Sequence, residues 1–337
     1  MINICYTGDE GYAMQIATSI TSILENNKNK DICFYILGDA YSDTTMKRFC
    51  SIEKKYKTKI EIVDITDKMR TLEKTALYNA GDVKMNGLLT FMYARLFIGS
   101  VLPTDIEKVI YIDADTVVQG DIQTVYNKKL PDVCIIGAVR DIWPMSYNKV
   151  IHHEDDDLYF ISSFLLIDLT KWRKENIEKQ IMKHIKSLNK KYFMHDQDII
   201  NVCLKGKIDT LPLEWGMVYI VRAYTPEQIL WFSGKTEETF YTKKQISSAK
   251  KRNLLVHYAG DYYGRPWVFP NACHDSRIWY RYFKMTPWAN DKLNYVKNKK
   301  QIIIFYIKKV LEKPIKNYWL KRTKRRFERI ILNALKQ

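Results

Sequence analysis

The segment VIYIDADTVVQGDI, Val109 to Ile122, reads as a buried strand carrying two carboxylates at its end, Asp113 and Asp115, one residue apart. Side chains in a strand alternate with period two, so both acids point the same way and form one dense negative spot. Such a spot, buried and uncompensated, is costly, and a cation is expected beside it. Oxygen ligands favour Mg2+ or Mn2+, and a nearby imidazole tilts the choice toward Mn2+. A lone D-x-D is also what a solvated loop contains, so the elements that position it carry the weight.

Those elements alternate. INICYT (2–7), ICFYIL (32–37) and KIEIVDI (59–65) read as strands. Between them, 12–26 has helical apolar spacing, and 42–56 is a helix with Ser42 or Asp43 as its N-cap. A helix is predicted over 90–99, before the strand that leads to Asp113. The strands VCIIGAV (133–139) and YFISSFLLIDL (159–169) follow, then a helix from 171 to about 188 and another starting near Asp196. Strands separated by helices of this length predict an α/β fold, a mostly parallel sheet with helices on both faces. Ligands in such sheets bind beyond the carboxyl ends of the strands, where Asp113 and Asp115 sit. After Trp267 the pattern becomes irregular.

The 337 residues suffice for one large α/β domain with an appendage. The six cysteines are scattered, with no C-x-x-C pair, so reduced thiols are expected rather than a disulfide framework or a structural zinc site. The first residues enter a strand directly and lack a signal-peptide pattern. The longest apolar run, Ile302 to Ile307, is far below the roughly 20 residues of a spanning helix. A cytoplasmic protein, soluble or peripheral on the membrane, is expected. The net charge is +16, and residues 291–337 hold 15 Lys and Arg against 3 Asp and Glu, a net +12. The body is therefore nearly neutral and the tail strongly basic.

Six segments in order resemble those of family 8 glycosyltransferases, the retaining GT-A enzymes that include bacterial lipopolysaccharide galactosyl- and glucosyltransferases. They are ICYTGDEGYAMQIATSITSILENN, FMYARLFIGSVLP, YIDADTVVQGDI, FLLIDLTKWRKENI, HDQDIIN and HYAGDYYGRPW, spanning roughly residues 1–285. The resemblance implies a GT-A domain over 1–285, Rossmann-like, and a UDP-hexose donor. It implies Asp113, Asp115 and His257 as ligands of Mn2+ (Mg2+ as the alternative), which stabilises the departing diphosphate as a Lewis acid. Asp9 would accept from the uracil N–H, with Thr7 and Tyr12 beside the base, and Ala114 lies between the two metal-binding acids in the donor site. Arg95 would contact sugar or phosphate, Gly260 would admit the phosphates and Arg265 would bind them. Asp196 would bind sugar hydroxyls, and Gln197 would lie beneath the anomeric carbon. An amide is a poor nucleophile, which favours same-face substitution over a covalent glycosyl-enzyme; Asp198 is the carboxylate available for the latter. Without the resemblance, these acids also suit an N-cap and first helical turn.

Two departures stand out. Ile161 and Ser163 occupy the positions of the family's Asn and Gly in FISSFLLIDL, so Ser162 substitutes, the sugar sits differently, or activity is weakened. Arg265 follows His257 by eight residues, where the family lysine follows by six. In the tail, 286–337, the apolar residues 327, 330, 331, 334 and 335 share one helical face among basic residues, and Pro314 is expected to stop the preceding IIIFYIKKVLEK segment. A basic amphipathic helix reads as lying on an anionic membrane, where a glycolipid or glycan acceptor would be met. A solvated helix packed on the body is the plainer alternative. A weakened or non-catalytic nucleotide-sugar- or glycan-binding homologue competes as a function. So does a nucleic-acid-binding protein, which the confinement of charge to the tail disfavours.

Overall fold

The computed structural model describes residues 1–72, 75, 77, 91–189, 192–259, 264–270, 273, 275–295 and 299–335. Among these, seven strands form a sheet in the order β3-β2-β1-β4-β7-β6-β8. They are β1 (Ile2–Thr7), β2 (Ile32–Gly38), β3 (Lys59–Asp64), β4 (Lys108–Ile112), β6 (Ile136–Arg140), β7 (Phe160–Asp168) and β8 (Ile208–Thr210). Of the seven, β7 alone runs against the rest, between β4 and β6. The α/β reading thus holds, with a mostly parallel sheet.

The central strands are apolar throughout because both faces are covered. Ile4, Tyr6, Ile110 and Ile112 point into one core, with Phe34, Phe164 and Trp215. Their alternates Cys5, Val109 and Tyr111 point into the other, with Leu165, Ile167 and Trp172. Helix α1 (Ala13–Asn26) packs on the first face, and its small polar residues let it approach closely. Ser19 Oγ lies 2.9 Å from Tyr6 Oη, and Ser22 Oγ accepts from the Val118 N–H at 2.9 Å. Helix α2 (Asp43–Tyr56) begins at Ser42, whose hydroxyl accepts from Thr45 N–H, and ends at Lys57 in the left-handed conformation (φ 52°).

Several expected elements are shaped differently. Val109 to Ile122 is not one strand. β4 ends at Ile112, the chain turns through Asp113–Asp115, and Thr116–Val118 forms β5 in a separate ladder with β9 (Leu255–His257). The helix expected over 90–99 is a 3-10 segment, Tyr93–Phe97, followed by an α turn, Ile98–Val101; Thr90 lies outside the described residues. The helix from 171 breaks into Leu169–Lys174 and Ile177–Ser187, because Asn176 adopts φ 54° between them. Past Trp267, the helix Ser276–Phe283 buries Trp279, Tyr282 and Phe283 against the first core. All six cysteines are unbridged, four of them buried.

The tail is one helix, Lys299–Leu335, and Pro314 does not stop it. A proline in a helix interior removes one backbone bond and costs about 3 kcal/mol. Beyond it the helix is fastened to the body: Leu320 and Ile331 are 3% and 2% exposed, and Lys324 Nζ donates to the Phe232 carbonyl at 3.0 Å. Each such buried aliphatic side chain contributes about 1.5–3 kcal/mol, enough to offset the missing bond. The face that holds Phe327 and Ile331 therefore packs on protein. Exposed apolar residues lie upstream, at Ile303, Ile304, Tyr306, Ile307 and Val310, and also downstream, at Tyr318, Leu332 and, on the expected apolar face, Leu335. No helix among the described residues is long and apolar enough to cross a membrane.

Candidate active site

The turn after β4 is held from both sides. Asp113 N–H donates to the Ser163 carbonyl of β7 at 2.9 Å, and Thr116 Oγ1 donates to the Asp113 carbonyl at 2.8 Å. The short β5–β9 ladder sets Thr116 opposite His257, and Tyr258 N–H donates to the Asp115 carbonyl at 2.9 Å. This ladder carries His257 across 142 residues of sequence to the acids. Its Nε2 lies 3.0 Å from Asp115 Oδ1 and 3.8 Å from Asp113 Oδ2. One ligand atom from each of Asp113, Asp115 and His257 falls within 4.8 Å of the others. Two carboxylates and an imidazole so converged fit a hard divalent cation.

Arg95 is the hub behind the pair. Buried to 6% exposure, it places Nη2 2.9 Å from Asp113 Oδ1 and Nε 3.2 Å from Asp196 Oδ2. Nη1 donates to the Ser162 carbonyl and hydroxyl at 2.8 and 3.1 Å, and the guanidinium lies 4.4 Å from the Tyr111 ring centre. Burial works against its charge, but Asp113 and Asp196 outweigh that and hold its pKa above the ordinary arginine value. Arg95 is thus an interior residue, not a surface cation. The contact with Asp196 is an ion pair without hydrogen-bond alignment, so the buried Asp196 Oδ2 keeps acceptor capacity.

Gln197 has both ends of its amide occupied. Nε2 donates to Asp141 Oδ2 at 2.8 Å, and Oε1 accepts from Ser162 N–H at 3.1 Å. Asp141, 7% exposed, sits just beyond β6, with Lys235 Nζ donating to its carbonyl at 2.6 Å. Burial raises the Asp141 pKa and lowers that of Lys235 to about 8. Sequence reasoning missed Asp141, although it follows the carboxyl end of a strand, where ligand-binding residues gather. Asp198 is turned away from this group. It accepts from Tyr147 Oη at 2.7 Å, Tyr159 Oη at 2.6 Å and Met194 N–H at 2.9 Å, so it anchors its helix, Asp196–Cys203.

At the other end, Thr7 closes β1 with Oγ1 2.8 Å from Tyr111 Oη, and Tyr12 lines the same cavity. Asp9 precedes the 3-10 turn Glu10–Tyr12, and its buried Oδ1 has no partner among the described residues. Arg265 reaches Asp115 and packs 5.6 Å from the Trp267 ring centre. Burial disfavours charge on Asp115, but His257 and Arg265 more than offset it and hold its carboxyl well below the usual range. Gly260 lies outside the described residues. Ala114, Ser162 and Ile161 line the cavity, Ile161 with no polar atom to offer a sugar.

One cavity of about 530 Å³ joins these groups. Contacts give its order: Thr7 to Tyr111, to Asp113, to Arg95, to Asp196 and Ser162, to Gln197, to Asp141. Asp113, Asp115, Asp141 and Asp196 line it against Arg95 and Arg265, an excess of negative charge that suits a bound cation.

A family model described as glycosyl transferase family 8 matches residues 3–269. The chain belongs to glycosyl transferase family 8. It is 28% identical over 302 residues to a lipopolysaccharide 1,2-glucosyltransferase of Escherichia coli K12, covering 86% of this chain and 80% of that protein. It is 21% identical to a lipopolysaccharide 1,3-galactosyltransferase of Salmonella typhimurium, covering 86% and 79%. The fold matches the galactosyltransferase LgtC solved with donor and acceptor sugar analogues, at TM-score 0.66 and 19% identity, covering 85% of this chain and 96% of that one. The GT-A fold is thereby established. In this family 8 chain the C-terminal helix lies beyond the matched segment, yet Phe327 from that helix lines the cavity.

Proposed function

We propose that the protein transfers a hexose from UDP-glucose or UDP-galactose to a hydroxyl of a glycan or glycolipid, with retention of anomeric configuration, in cell-surface polysaccharide or lipopolysaccharide synthesis. The observation that carries this reading is the convergence of Asp113, Asp115 and His257 in one cavity with Arg95, Asp196 and Gln197. Those three residues would hold Mn2+, or Mg2+, which when bound neutralises the diphosphate as it leaves. Asp9 Oδ1, without a partner among the described residues, is an acceptor suited to the uracil N–H, beside Thr7 and Tyr12. Arg265, and the backbone around Gly260, would meet the phosphates. Arg95 orients Asp196, whose spare acceptor capacity suits a sugar hydroxyl. Gln197, pinned by Ser162 and Asp141, would face the anomeric carbon. Asp198 is spent on two tyrosines, so a same-face substitution without a covalent intermediate fits better than nucleophilic attack by that carboxylate.

Residues 1–285 would form the transferase body. The 286–337 segment would bind anionic lipid through its basic residues and the exposed Ile303, Ile304, Tyr306, Ile307 and Val310, on the cytoplasmic face of the membrane where a lipid-linked acceptor is presented. The lipopolysaccharide assignment of two relatives supports that setting.

The test is a screen of nucleotide sugars for divalent-metal-dependent UDP release, with Asp113→Ala and Asp115→Ala variants beside the wild type. Release by the wild type and its loss in both variants is expected. Equal release by the variants removes the mechanism.

A further inference from the structure

We infer that Phe327, carried by the C-terminal helix and braced by Trp143 and Phe232, is the aromatic platform that seats the sugar ring of the acceptor. The inference rests on the transferase reading above and extends it to the acceptor side of the same cavity.

Beyond Gln197 and Asp141 the chain of contacts turns aromatic. Trp143 N–H donates to Asp141 Oδ1 at 3.2 Å, and the Trp143 and Phe327 rings lie 4.3 Å apart at 62°. Phe232 meets Phe327 from another side, at 5.6 Å and 79°. Edge-to-face contacts on two sides fix the orientation of the Phe327 ring. All three residues line the cavity. The order of contacts puts them at the end remote from Thr7 and the metal ligands, next to the group proposed to face the anomeric carbon. Whatever receives the hexose enters from that end.

Burial separates a packing role from a binding one. Leu320 and Ile331, which fasten the helix, are sealed at 3% and 2% exposure, and Trp143 and Phe232 at 8% and 0%. Phe327 lies between these sealed residues and yet is only half-buried, its open part lining the cavity. A hexopyranose presents an apolar C–H face that complements an aromatic face, while its hydroxyls need polar partners, here Asp141 within one contact of Trp143. The charged wall at the metal end and the aromatic wall at this end match a phosphorylated donor and a neutral sugar acceptor respectively.

The experiment measures initial rates of transfer to p-nitrophenyl glucosides and galactosides, α and β, using the nucleotide sugar from which the wild type releases UDP. Phe327→Leu keeps apolar volume for the helix and removes the ring; Phe327→Ala removes both; Phe327→Tyr and Phe327→Trp restore an aromatic face. Loss of one stacking contact is expected to raise the acceptor KM about tenfold in the Leu and Ala variants. The donor KM should move less than about twofold, and the Tyr variant should recover most of the wild-type acceptor KM. An acceptor KM unchanged in Phe327→Leu overturns the platform, as does a parallel rise in both KM values, or a wild type that accepts none of these glycosides. Failure of the transferase reading is distinguishable, because it shows as absence of UDP release before any acceptor is added.

Discussion

Arg95 holds apart two carboxylates that would otherwise face each other in a buried space. Replacing it with alanine leaves Asp113 and Asp196 without that countercharge, and breaking a buried pair from one side costs about 3–5 kcal/mol. Arg95→Ala should therefore lose stability by about that amount in urea unfolding, and metal-dependent UDP release with it; a loss below about 1 kcal/mol contradicts the hub role. Asp198 makes a different prediction. Its burial raises the folded-state pKa to about 6, from an ordinary value of 3.8. The folded state therefore holds the proton more tightly than the unfolded chain between those values. Stability present at low pH is lost as pH rises from about 4 to about 6, by about 3 kcal/mol at roughly 1.4 kcal/mol per pH decade, and is level above. Asp141 and Asp196, also raised by burial, add slope of the same sign. Asp198→Asn should remove its own share of the slope in unfolding curves taken from pH 4 to 7. At neutral pH it should also lose one of the two oxygens that accept from Tyr147 and Tyr159; an unchanged slope rejects the assignment.

At the scale of elements, the proposed metal site is assembled by two short strands rather than by the main sheet. β5 and β9 have three residues each, and their ladder sets the position of His257. The turn that precedes β5 depends on Thr116, fully buried, whose hydroxyl donates to the Asp113 carbonyl and lies 3.2 Å from Ser19 Oγ. Thr116→Val keeps the shape and removes the donor. It should cost about 1–3 kcal/mol of stability, because the Asp113 carbonyl and Ser19 lose a buried partner. The looser turn should weaken Mn2+ binding several-fold in calorimetric titration, with the ligands themselves untouched. Binding equal to the wild type removes the turn from the account of the site.

Across the whole molecule, charge and apolar exposure are segregated. The body is near neutral, and the tail carries a net +12. The downstream half of the tail helix packs on the body with Phe327 lining the cavity, and its upstream half exposes Ile303, Ile307 and Val310 at 57%, 50% and 78%. The wild type should sediment with phosphatidylglycerol vesicles, less so as salt rises, because exposed charges are screened beyond about 10 Å at 0.1 M. Combined Ile303→Ser, Ile307→Ser and Val310→Ser substitutions should lower vesicle affinity at least about tenfold while UDP release continues, since each buried aliphatic side chain contributes about 1.5–3 kcal/mol. Equal affinity would separate the tail from membrane attachment. Strong retention on DNA with none on vesicles would favour the nucleic-acid alternative.

What could be read from residue order alone was whatever depends on local periodicity and near neighbours. The runs 2–7, 32–37 and 59–64 are strands because apolar residues crowd into short stretches between helical spacings. The Asp113–Asp115 pair is legible because only Ala114 separates the two acids, and the six ordered motifs marked the family. Position across long separations was not legible. His257 reaches Asp115 only through a three-residue ladder that no periodicity announces, Asp141 holds Gln197 from 56 residues away, and Arg95 is a buried hub rather than a surface cation. The tail shows the limit most plainly: its sequence is amphipathic, but burial against Trp143 and Phe232, a tertiary event, decided which apolar residues pack on protein and carried the helix through Pro314. Local sequence sets which faces are apolar; only the assembled fold sets what covers them.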